Sequence, residues 1–184
     1  MMKNSKAQRV AQTGLLFALA ITLSWLESGI APLLGLMPAM KLGLANMVVM
    51  YALLFLPLRA AWALVFLKAL FALLTRGATA GFLSLCGGAL SLLVLLGLLC
   101  VPFQVSGYMF CVSGALAHNL GQLLGAAGIL SSAMALAYAP LLLAAGVLVG
   151  ALNCLLTRAL FTALPQTARR SRWKRNPFKN KNIS

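Results

Sequence analysis

Three side chains able to trade protons or hydrogen bonds, His118, Asn119 and Gln122, stand inside the otherwise apolar run CVSGALAHNLGQLLGAAG at 111–128. Imidazoles and amides both donate and accept, and hydrocarbon supplies no partner for them. At about 100° per residue of an α-helix, Gly114, Ala117, Gly121, Gly125 and Gly128 fall on one narrow stripe, with His118 and Gln122 just off its edge. Small residues let neighbouring helices approach closely, so the stripe predicts a tight helix contact and places the polar pair inside a bundle. There the pair serves either as hydrogen-bonding glue between helices or as the lining of a substrate cavity. Spacing leaves both readings open.

The second singular residue is Glu27. It is the one acid among 184 residues, set against fifteen Lys and Arg and a formal net charge of +14. Paired carboxylates for acid/base work, Asp-rich Mg²⁺ sites for diphosphates and acidic metal cages all need residues that this chain lacks. No metal and no cofactor is expected. Ser113 and His118 suggest a hydrolytic dyad, yet five residues place them about 140° apart on one helix, out of reach of each other. A serine from another span, Ser84 or Ser91, stays open as a partner. There is no glycine-rich phosphate loop carrying a lysine, so an ATP-driven step would need another subunit. Cys86, Cys100, Cys111 and Cys154 form no CxxC pair and read as reduced packing residues. The chain is read as non-catalytic.

The elements that carry these groups are membrane helices. With 62% hydrophobic and 9% charged residues, the composition is that of a polytopic membrane protein. The fold expected is all-α, a six-transmembrane-helix bundle with both termini cytoplasmic: a cytoplasmic segment at 1–9, a single membrane domain at 10–163 and a basic cytoplasmic tail at 164–184. The spans read as 10–28, 42–56, 58–74, 78–101, 108–130 and 133–163. Pro57, followed at once by Arg59, separates the second and third. The second reaches only about 22 Å of a hydrocarbon core of about 30 Å, so it starts below the surface. The apolar stretch 29–40, with two prolines, is expected to fold over the bundle above it. The N-terminus has the outline of a secretory signal, but the run continues into further spans and Glu27 stands where a small-residue cleavage site would be needed. A retained first span is expected.

Orientation follows from charge. Lys3, Lys6, Arg9, Arg59, Arg158 and the seven basic residues of the tail fall on one side, against Lys41 and Arg76 on the other. The richer side is cytoplasmic. Topology thus accounts for the basic residues, and no nucleic acid is expected as partner. The tail's Trp173 and Phe178 suit adhesion to anionic headgroups. On this orientation Glu27, Lys41, Asn46 and Arg76 lie toward the outer side, and Lys68 lies about 15 Å past Arg59, near the midplane. A lysine at that depth marks function by default. Singly, each has an ordinary reading as an interfacial anchor or a snorkelling side chain. Together, Glu27, Lys41, Asn46, Lys68, Arg76, His118, Asn119 and Gln122 form the candidate site for a polar or anionic small molecule. A further small-residue stripe, Ala7, Ala11, Gly14 and Ala18, begins at the cytoplasmic end of the first span and can dock a partner helix; Gly146 and Gly150 are similar in the last.

Three blocks carry a family resemblance: KLGLAN at 41–46, LSLCGGALSL at 83–92 and GALAHNLGQ at 114–122. They resemble the bacterial membrane family labelled heptaprenyl diphosphate synthase component I, also called the Gx transporter family, over about 15–160. The resemblance implies a multi-pass protein of the bacterial plasma membrane. It is similar in plan to the substrate-binding S components of energy-coupling factor (ECF) importers, whose first span docks a coupling subunit through an Ala-xxx-Ala stripe and whose first long loop closes the site. Ala7, Ala11 and the 29–40 loop would fill those roles, with a coupling subunit and ATPases as partners. The chain departs from the family look at Lys68 and at Thr75-Arg76. The alternative implied by the label is an accessory partner of a soluble synthase subunit that makes a polyprenyl diphosphate. Without aspartate, the chain is not the catalytic subunit.

Overall fold

Helix boundaries follow the proline and glycine punctuation. The structure is a computed structural model that describes residues 6–30, 33, 44–102, 105–129 and 132–163. Its helices are α1 (Lys6–Ile30), α2 (Asn46–Phe55), α3 (Leu58–Arg76), α4 (Ala78–Cys100), α5 (Gly107–Ile129) and α6 (Ser132–Ala163), and no strand occurs among the described residues. Pro57 caps α3 with φ −58°, where its missing N–H costs no helical bond. Gly77, at φ 91°, ends α3 and starts α4 within one residue, a conformation open mainly to glycine. Pro140 lies inside α6, and the stretch of that helix apolar enough to cross a membrane, Ala139–Ala159, begins beside it.

Four of these helices are both long and apolar enough to span a bilayer: Val10–Ile30, Leu58–Arg76, Ala78–Cys100 and Ala139–Ala159. The fold is thus an all-helical, membrane-type bundle. α2, with ten residues, rises only about 15 Å. Every residue from Asn46 to Leu54 is buried, because α1, α3, α4, α5 and α6 all pack against it. Apolar on all sides, it is a core plug where an amphipathic stripe would not serve.

α4 lies antiparallel between α3 and α5, and α6 closes on α5. The glycine stripe makes the α4–α5 contact: a Cβ on Gly121 would stand 2.6 Å from the Cys86 carbonyl oxygen, and one on Gly125 would stand 3.2 Å from Cys86 Sγ. Gly114 packs on Leu95, while Gly128 meets nothing within 4 Å. Gly150 brings α6 onto α5 in the same way, 2.7 Å from the Cα of Val112. The expected loop over the bundle and the basic tail lie outside the described residues, apart from Gly29, Ile30 and Leu33.

Candidate functional site

Buried polar groups are distributed over three helix contacts. In the first, Asn46 opens α2 and donates through Nδ2 to Ser91 Oγ at 2.5 Å and to the Gly114 carbonyl at 3.3 Å. Ser91 Oγ donates in turn to that carbonyl at 2.8 Å. All three residues are buried, so the triangle joins α2, α4 and α5. It also fixes depth. Asn46 stands level with Ser91 and Gly114 inside the bundle, at the start of α2. Ser91 directs its proton to the Gly114 carbonyl and not to His118.

One turn along, Gln122 Nε2 lies 2.8 Å from His118 Nε2 within α5. With the amide donating, the imidazole accepts at Nε2 and carries its proton on Nδ1. Both residues are buried, and the ring rests on α4 at Gly87. Asn119, next in sequence, turns about 100° away and donates to the Leu142 carbonyl of α6 at 2.6 Å. Gly146 makes room for it, since a Cβ there would stand 3.0 Å from Asn119 Nδ2.

The third contact is between α1 and α3. The inner face of α1 is Leu16, Ala20, Ser24 and Glu27, and Glu27 is fully buried at 0% exposure. Lys68 is 4% exposed on the inner face of α3, in register with Leu64, Val65 and Ala72. It does not snorkel to a surface. Arg76, half-buried at the end of α3, and Lys68 both interact electrostatically with Glu27. By the α3–α4 register, Val65 against Gly88 and Leu73 against Gly81, Lys68 stands near the height of Cys86, and hence of the His118–Gln122 turn. Lys41 lies outside the described residues.

On the opposite face of α1, Ala11, Gly14 and Ala18 are exposed, and Gly14 meets nothing within 4 Å. Ala7 lies in the first turn of the same helix, and its side chain is outside what is described. Sequence reasoning did not single out Ser24, Asn153 or Thr157, all buried. Serine and threonine within apolar helices are too ordinary to stand out, whereas Asn153 in α6 carried the same signal as Asn119. Among the described residues no group of three His, Cys, Asp or Glu could hold a metal ion.

Neither a curated protein sequence nor a solved structure matches the chain. The family profile described as Heptaprenyl diphosphate synthase component I matches residues 16–160, taking in all three polar contacts. Since that match covers most of the 184 residues, the chain belongs to the heptaprenyl diphosphate synthase component I family.

Proposed function

We propose that this protein is a non-catalytic membrane subunit that acts as the accessory component of a heptaprenyl diphosphate synthase, alongside a soluble subunit that carries the chemistry. The supporting observation is the family match across 16–160 in a chain with no aspartate and a single, fully buried glutamate. Such a chain offers no carboxylate pair for the Mg²⁺ ions that hold a diphosphate. Its contribution is therefore to hold the partner, the growing apolar product or both at the membrane. The reading takes six spans, with both termini on the cytoplasmic side of the bacterial plasma membrane and the basic tail against its anionic headgroups. Reconstitution tests it: the soluble subunit with this chain in vesicles should make product faster, or of defined length, compared with the soluble subunit alone. Full activity and normal product length without this chain would remove it.

A second reading, a substrate-binding S component of an ECF-type importer, is favoured by one observation. Glu27, Lys68, His118, Asn119 and Gln122 are buried at 4% exposure or less, a polar investment that a passive anchor does not need. The exposed Ala11, Gly14 and Ala18 face would then meet the coupling subunit. Co-purification with a coupling subunit and ATPases, together with a small molecule retained in native mass spectrometry, supports this reading. Co-purification with a prenyl synthase alone opposes it.

A further inference from the structure

Three charged side chains lie along the α1–α3 contact and act on one another electrostatically, and their charges do not cancel. Glu27 is fully buried, Lys68 is 4% exposed and Arg76 is half-buried. Lys68, Ala72 and Arg76 recur every four residues, so they share one row of α3 about 12 Å long. Ala72, itself buried, puts only a methyl group between the two cations. Both cations interact with Glu27 from the facing helix. Whatever hydrogen bonds Glu27 and Arg76 make, one carboxylate carries one negative charge, and the chain contains no other acidic side chain. One positive charge is left that no side chain of this protein can balance, and at the buried Lys68 an uncompensated charge is costly.

We propose that the Lys68–Ala72–Arg76 row facing Glu27 binds a monoanionic group, a carboxylate or a phosphodiester, carried by a small molecule or a lipid headgroup. Arginine offers a planar fork for two oxygens and lysine a compact point charge, a combination suited to either group. Glu27 sets the charge that is accepted. By cancelling one cation it matches the site to a single negative charge, so a diphosphate, with two or more, is disfavoured. The ligand is therefore unlike the diphosphates a prenyl synthase works on. For its purpose the inference rests on the ligand-binding reading above, while the site itself can be tested on the isolated chain.

The purified full chain, in phosphatidylcholine nanodiscs, is titrated with acetate, dimethyl phosphate and pyrophosphate, and its melting temperature is followed. Acetate or dimethyl phosphate should raise it, and pyrophosphate should do less. Lys68→Met should erase the shift or weaken the apparent Kd by about tenfold or more. Glu27→Gln, which adds a net positive charge to the site, should turn the preference toward pyrophosphate. Should Lys68→Met fail to fold, Arg76→Gln is expected to lose the same shift. Nanodiscs of phosphatidylglycerol separate the sources: a headgroup ligand raises melting there with no additive, whereas a soluble ligand appears as a retained mass in native mass spectrometry. A wild-type chain whose melting ignores both monoanions and phosphatidylglycerol overturns the proposal. That result would leave the partner co-purification experiments untouched.

Discussion

The imidazole of His118 fills the space that a side chain at Gly87 would need, since a Cβ on Gly87 would come within 2.7 Å of Nδ1 and 2.8 Å of the His118 carbonyl oxygen. Ring and backbone of α5 both touch α4 there. Gly87→Ala should thus displace the ring and lower stability by about 1–3 kcal/mol, the usual cost of overpacking. Gly97→Ala, on the same helix but with nothing within 4 Å, is the control and should leave melting unchanged or slightly raised. Thermal unfolding of the two variants in one detergent makes the comparison.

His118 and Gln122 hold each other at 2.8 Å, so their losses should not add. Each single change to alanine leaves a buried polar partner and should cost about 1–3 kcal/mol. The double variant should cost less than the two together, and the difference in a thermodynamic cycle measures their coupling. If instead both variants fold normally and only ligand or partner binding falls, the pair belongs to a binding surface.

Asn119 ties α5 to α6 through the Leu142 carbonyl at 2.6 Å. Asn119→Ala should lower stability by about 1 kcal/mol, as loss of one buried hydrogen bond does. Asn119→Asp should be worse, because a carboxylate without its proton cannot donate to that carbonyl. Raising acidity enough to protonate the aspartate should recover part of the loss, which denaturation at two pH values detects.

Ser91 accepts from Asn46 and donates to the Gly114 carbonyl, so one hydroxyl joins three helices. Ser91→Ala leaves Asn46 with only the 3.3 Å contact to Gly114. Its expected effect is faster hydrogen exchange across α2, together with a drop in melting temperature. Unchanged protection of α2 would mean that apolar packing alone holds the plug.

Cys100 is exposed at the end of α4, while Cys111 and Cys154 are buried. On the proposed orientation a membrane-impermeant maleimide should label Cys100 in inside-out vesicles and not in intact cells. Labelling from outside would reverse the orientation and the side on which Glu27 and Arg76 lie.

The helices were legible in the sequence because apolar runs end at strong punctuation. Pro57 starts α3 where the sequence predicts it, while its end lies two residues past the expected 74; α4 starts at the expected 78 and ends one residue early, and α5 is offset by one residue at both ends. The glycine stripe was legible at Gly114, Gly121 and Gly125, which approach α4 closely, but not at Gly128, which meets nothing within 4 Å. Less legible was who faces whom. Neighbouring His118 and Asn119 point at different helices, and Asn46 of α2 pairs with Ser91 of α4. Those outcomes depend on the antiparallel registers of α4, α5 and α6, which no local pattern encodes. Ser91 illustrates the limit best: its importance comes from Gly114 and Asn46, which are remote in sequence.

The closeness of α4 and α5 also restricts how this chain can vary. At Gly121 the neighbour across the seam is a main-chain carbonyl, and no substitution elsewhere in the side chains can move it aside. At Gly125 the neighbours are the side chains of Cys86 and Leu83, which a compensating change can trim. In a saturating substitution scan, tolerance should therefore fall to nothing at Gly121 and recover at Gly125 only in backgrounds already altered at Cys86 or Leu83. Two glycines a single turn apart would then follow different rules of inheritance: one fixed outright, the other free to change in company.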